Sequence, residues 1–234
     1  MAPLQPFPTM EFIMSLKSKA TPFANDCDYI AAEIGYMAAK ANRIGAEREA
    51  KQQPRSYGTR RVLGPLESTE TKEHRRRIAG LKLTEDELKA DLDARLAINR
   101  SNGPALGLDA VCDHHDLNAF ERAVLLVTSI VACGEHYADL LDPATRRGMM
   151  GGATAEDCWQ LMEMPLADRV QSHLSFLPTA RMMAAGLISV RLGAESTPSS
   201  LSGAVVEVTS PAWAAIVGLD GLVPGKIDAS DFEG

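Results

Sequence analysis

The apolar period of the chain changes once, close to its end. Ile188, Val190 and Leu192 alternate with Ser189 and Arg191, and Ala204, Val206 and Val208 alternate with Val205 and Glu207. A step of two puts successive side chains on opposite faces of an extended chain, so both runs read as half-buried strands. Between them Gly193 to Gly203 is rich in Ser, Thr and Pro, which closes the pair as a hairpin with a long polar tip. This hairpin is what separates the chain from a plain bundle of helices.

Upstream the helical period dominates. Ile30, Ile34, Met37, Ala41 and Ile44 recur at steps of four, three, four and three, one stripe of a helix running from a cap at Asn25 to about Gln52. Gly35 and Gly45 inside it each cost up to about 1 kcal/mol relative to Ala, so the helix needs a partner and reads as half of a helical pair. Thr84 and Glu87 make a capping box, with Leu83 and Leu88 placed as a hydrophobic staple, and predict a second helix through Leu92 and Leu96 to about Asn99. A short element over Ala105 to Cys112 and a polar turn, Asp113 to Asp116, follow.

Asn118 and Glu121 form another box, ahead of Phe120, Val124, Leu125, Val127, Ile130 and Val131, the most apolar run and the expected core helix. Thr154 and Asp157 cap a helix carrying Cys158, Leu161 and Met162, and Pro165 breaks it. Val170, Leu174 and Phe176 sit on a further helix before Pro178. Beyond the hairpin, Ser210 as cap and Pro211 at the first helical position open a last helix with Trp213, Ile216 and Val217 available to pack.

A core helix, further helices and then a hairpin is the order of a winged-helix domain, a helix-turn-helix derivative whose hairpin is the wing. The expected fold class is mainly α with a small β-hairpin, a winged-helix domain preceded by a helical N-terminal segment. The expected organisation is a flexible leader over 1–24, an N-terminal helix over 25–53, a basic linker over 54–80, the helical and winged-helix domain over 81–222 and an acidic tail over 223–234.

Composition excludes several classes of molecule without naming an activity. With 45% hydrophobic and 24% charged residues among 234, the chain is neither wholly disordered nor fibrous. No apolar run approaches the roughly 18 residues of a membrane helix. Cys27, Cys112, Cys133 and Cys158 are far apart and form no C-x-x-C pair, so they read as reduced, mostly buried thiols. The apolar stretch Phe12 to Leu16 is too short for a signal-peptide core, which makes the cytoplasm the expected compartment. Cys112, His114, His115, Cys133 and His136 are zinc-ligand types without finger spacing, and no nucleophile elbow occurs. No catalytic, metal or cofactor residue is therefore assigned.

Charge is more informative. The formal net charge is 24 minus 31, or −7, yet residues 40–80 hold 11 Lys or Arg against 5 Glu, a local +6 that leaves −13 elsewhere. Arg75, Arg76 and Arg77 concentrate the positive part and are the candidate partner-binding residues, able to steer an acidic partner or meet the acidic body of the chain itself. From Ala155 to Phe176, where a winged helix would read DNA, Glu156, Asp157, Glu163 and Asp168 face Arg169 alone. That balance disfavours nucleic acid, although Arg146, Arg147, Arg181 and Arg191 flank the segment.

The strings Leu117-Asn-Ala-Phe-Glu-Arg-Ala-Val-Leu-Leu-Val127, Ala185-Gly-Leu-Ile188 and Ser210-Pro-Ala-Trp-Ala-Ala-Ile-Val-Gly218 resemble the amino-terminal winged-helix region of certain AAA-family ATPases. An entry helix like Tyr29 to Ala50 and an intervening helix like Leu83 to Leu96 precede that segment there, so the resemblance covers about residues 25–222. In those proteins an ATPase module follows. Here Gly221 to Ile227 is one residue short of a phosphate-binding loop and lacks its hydroxyl, so ATP and magnesium are expected only if such a module lies beyond. The resemblance implies a non-catalytic module, the front piece of a longer protein or a stand-alone relic, that docks a protein partner or regulates an attached motor. A winged-helix nucleic-acid-binding protein is the alternative.

Overall fold

The computed structural model describes residues 21–52, 69–145, 152–191 and 203–219. Among them the order is α1 (Asp26–Gln52), α2 (Thr69–Asn102), α3 (Gly107–His114), α4 (Ala119–Ala132), α5 (Glu135–Asp139), a 3₁₀ turn (Asp142–Ala144), β1 (Ala153–Thr154), α6 (Ala155–Leu161), α7 (Leu166–Ser172), a 3₁₀ turn (His173–Phe176), α8 (Arg181–Ala184), β2 (Ile188–Arg191), β3 (Val205–Val208) and α9 (Ser210–Ile216). The fold is mainly helical with one small antiparallel sheet.

The hairpin is where the two-residue period puts it. Ile188 pairs with Val208 and Val190 with Val206, placing these four on one face and Ser189, Arg191 and Glu207 on the other. A third strand joins them: β1 pairs Ala153 with Val206 and Thr154 with Val205, giving the order β1-β3-β2. The sheet thus shields Val206, which is 1% exposed, with strands on both sides.

Local chemistry starts the helices. Asn118 accepts from the amides of Phe120 and Glu121 while Glu121 returns a bond to Asn118 N, and Thr154 with Asp157 repeats the device. Each such cap contributes about 1 kcal/mol. The last helix is capped one residue earlier than expected, since Thr209 Oγ1 accepts from Ala212 N and Ser210 is already helical. α4 lies at the centre, with Val124, Leu125, Val127 and Ile130 wholly buried against both the sheet and the helices around it.

Two boundary expectations are corrected. The second helix begins at Thr69, so residues 69–80 of the expected linker are helical and Thr84 caps nothing; its hydroxyl bonds back to Gly80 O at 3.2 Å. Leu83, the expected staple residue, is 60% exposed. The cause is packing against α1: His74, Ile78, Leu81, Glu85, Leu88 and Leu92, at steps of four, three, four, three and four, line the covered side of α2. The end of the expected leader is held in place. Phe23 is fully buried, donates its N–H to Asn99 Oδ1 at 2.7 Å and lies under the Arg95 guanidinium at 3.8 Å. Residues 1–20, residues 53–68, the hairpin tip over 192–202 and the tail over 223–234 lie outside the described residues.

Three arginines fasten this helical hairpin to the rest. Arg122 on α4 reaches Glu33 Oε1 at 2.7 Å and Asp109 Oδ1 at 3.2 Å, and it also meets the Tyr29 hydroxyl, which lies 3.0 Å from both carboxylates. Arg48 donates to Thr145 O at 2.8 Å, to Ala144 O and to Gln160 Oε1 at 3.0 Å, satisfying carbonyls at the end of the 3₁₀ turn. Arg43 binds Glu47 from its own helix, Glu85 from α2 and Glu163 from the turn between α6 and α7.

Candidate functional site

α6 and α7 are consecutive helices joined by a short turn, the order of a helix-turn-helix, whose second helix enters the major groove in proteins that read DNA. The turn between them holds Glu163 at φ 51°, and Arg43 grips that residue. The guanidinium keeps the Glu163 carboxyl below its ordinary value. Pro165 then caps α7 in extended conformation.

α7 turns a mixed face inward. Trp159 Nε1 donates to Ser172 Oγ at 2.7 Å, the Trp159 ring meets His173 edge-on at 4.6 Å between centroids, and Phe176 packs edge-on against Phe120 at 5.9 Å. With Ser172 of α7 and His173 and Phe176 of the 3₁₀ turn after it held inward, the apolar side chains of both segments and of Leu177 are left outside. Leu166 is 78% exposed, Val170 64%, Leu174 62% and Leu177 40%. The sequence pattern assigns Val170, Leu174 and Phe176 to one packed helix, and only Phe176 is buried.

Among the described residues positive charge is scarce here and each arginine is engaged, while Arg146 and Arg147 lie outside the described residues. Arg169, Arg181 and Arg191 are the only basic side chains between residues 152 and 219 apart from histidine. Arg169 donates to Met164 O at 2.8 Å and pairs with Glu156 at 3.2 Å; Arg181 pairs with Asp116 at 2.9 Å; Arg191 pairs diagonally across the hairpin with Glu207. Each ion pair leaves little net positive potential to attract a phosphate.

Arg75, Arg76 and Arg77 lie exposed on the first half of α2. Arg77 reaches Glu49 on α1 at 3.1 Å, an exposed pair of small energetic weight. A shallow cleft of about 200 Å³ next to it is lined by Asn42, Gly45, Arg48, Glu49, Arg77 and Pro143, with Arg48 already bound to backbone carbonyls. The histidines and cysteines do not assemble. His114 and His115 stack edge-on at 4.7 Å, Cys133 caps α4, and among the described residues no cluster of three potential ligands could hold a metal ion. Burial pushes the Cys112 thiol up to about 12 and the Cys158 thiol higher still, so neither is a ready nucleophile.

No helix among the described residues is long and apolar enough to cross a membrane. No curated protein and no solved structure matches the chain. A family model described as a winged helix domain, variant, matches residues 15–224, which takes in the hairpin, the helix-turn-helix and both entry helices. With that match over most of its length, the chain belongs to the variant winged helix domain family.

Proposed function

We propose that this domain is a non-catalytic protein-interaction or regulatory module that docks a protein where a DNA reader would hold the duplex. One observation carries the reading: α7 and the 3₁₀ turn after it present Leu166, Val170 and Leu174 to solvent, while the three described arginines around them are tied to carboxylates. A phosphate-binding face requires the reverse, basic side chains outward and apolar ones in. The resemblance of the Leu117–Val127 and Ser210–Gly218 strings to the front region of AAA ATPases supports a module that regulates an attached motor or recruits its client. In this reading the exposed Arg75, Arg76 and Arg77 supply long-range attraction for an acidic partner, and their replacement by Ala slows partner association and flattens its salt dependence.

The test is a titration of the full chain with a labelled random-sequence duplex of about two helical turns, started at physiological salt. Binding weaker than about 10⁻⁴ M, the weak end of non-specific association, is the expected result. Submicromolar binding that weakens steeply with added salt would establish the nucleic-acid alternative instead.

A further inference from the structure

α6 ends on a residue type that seldom takes that position. Glu163 N–H donates to Gln160 O at 3.0 Å and Met164 N–H donates to Trp159 O at 3.0 Å, the pair of bonds that closes a helix on a left-handed residue. Glycine usually stands there because it has no Cβ, yet here it is glutamate at φ 51°. The backbone alone therefore favours leaving this conformation. Among the described residues only Asp116 shares a positive φ without being glycine, and it too offers its carboxylate to an arginine of another element, Arg181.

Arg43 holds Glu163 with both ends of its fork. Nη1 donates to Glu163 Oε1 at 3.2 Å, and Nη2 donates to Glu163 Oε2. The same nitrogens have other acceptors: Nη1 also meets Glu47 at 2.9 Å, Nη2 also meets Glu85 at 3.4 Å, and Nε is given to Glu85. Loss of Glu163 thus leaves the buried cation paired. The Glu163 side chain is 44% exposed, so it returns to water without stranding a charge. What the contact restrains is α7. Only Met164 and Pro165 separate Glu163 from Leu166, and of the seven residues of α7 only Ser172 is buried. A helix with so little buried surface opens locally at low cost.

We infer that Arg43 and Glu163 form a release latch, through which the helical hairpin of α1 and α2 holds the α6–α7 turn in its left-handed form and α7 in its place. With the latch open, Glu163 leaves the left-handed region, the end of α6 loosens and α7 moves, while Arg43 stays with Glu85 and Glu47. The hairpin that carries Arg75, Arg76 and Arg77 is thereby coupled to the exposed face of α7. This goes beyond the docking reading and holds whatever α7 meets.

The test is amide hydrogen exchange of the full chain, read at α7 and, as a reference, at α3, which is tied by Asp26, Tyr29 and Arg122 instead. Arg43→Lys keeps the charge beside Glu85 and loses the fork. Glu163→Ala keeps a Cβ at positive φ and loses the grip; Glu163→Gly loses both strain and grip. Arg43→Lys and Glu163→Ala are each expected to speed exchange at α7 about two- to fivefold, the worth of a half-exposed ion pair, and to leave α3 unchanged. Glu163→Gly should exchange more slowly than Glu163→Ala, and adding Arg43→Lys to it should change nothing further at α7. Wild-type exchange in Glu163→Ala, or an equal effect of Arg43→Lys with and without Glu163, overturns the latch. Equal acceleration of α3 overturns it in favour of a general loss of stability, and exchange in Glu163→Gly as fast as in Glu163→Ala shows that the turn holds no strain to release and overturns it as well.

Discussion

Arg43→Met removes the charge that joins three segments while keeping most of the side-chain volume. The Arg43 side chain is 8% exposed, and its partners Glu85, Glu47 and Glu163 are 12%, 33% and 44% exposed. Breaking a buried pair by removing one partner costs about 3–5 kcal/mol, because the other charge stays desolvated. Exposed pairs are worth about 0.2–1 kcal/mol. Only the Glu85 pair belongs to the first class, so the expected loss is about 4 kcal/mol at neutral pH, most of it from Glu85.

The pH dependence follows from Glu163, whose folded carboxyl is held below its ordinary value of 4.5, first by its hydrogen bond to Arg43. Its stabilising contribution is complete above that ordinary value and is lost as the pH falls below it, through the lowered folded value. In the variant the hydrogen bond from Arg43 that lowers the Glu163 carboxyl is gone, so this contribution is absent at every pH. Urea unfolding followed by circular dichroism at pH 7 and pH 4 should therefore show a gap between wild type and variant that narrows at pH 4 by no more than the Glu163 share, about 1 kcal/mol at most. A loss under about 1 kcal/mol at pH 7, or a gap that widens as the pH falls to 4, would refute the ionic clamp.

Other substitutions probe single contacts. Gly45→Ala should destabilise by about 1–2 kcal/mol despite the better helix propensity, because the new Cβ would stand 2.8 Å from Pro143 O and 2.9 Å from Pro143 Cβ; a stabilised variant in thermal unfolding would contradict that packing. Thr154→Ala removes the cap of α6 and one half of its box, an expected loss of about 1 kcal/mol in chemical unfolding, and no loss would mean that the box adds nothing. In a thiol-reactive dye assay at pH 8, Cys27, exposed at the start of α1, should react first, while Cys112 and Cys158 wait for unfolding. Rapid labelling of Cys158 in the folded chain would show that its surroundings open.

Much of the fold is legible because capping and period agree locally. Asn118 with Glu121, Thr154 with Asp157, and the alternation over Ile188 to Val208 each name an element that forms. β1 is hidden because two residues cannot display a period, and Ala153 and Thr154 become a strand only by pairing with β3. The early start of α2 is hidden for a different reason. Its covered side includes His74 and Glu85, which a hydrophobic pattern discards, and Glu85 sits there because Arg43 meets it from α1. The α7 stripe is plain in the sequence, but periodicity does not say which side of a helix faces in. Trp159 and Phe120 decide that, by holding Ser172 and Phe176 and leaving Leu166, Val170 and Leu174 outside.

Photocrosslinking from α7 tests the central claim most directly. A benzophenone amino acid at Val170, irradiated in the cells that make the protein, should yield a discrete protein adduct, while the same group at exposed Ser189 on β2 should yield none. A nuclease-sensitive adduct at Val170, or no adduct there at all, would contradict the account.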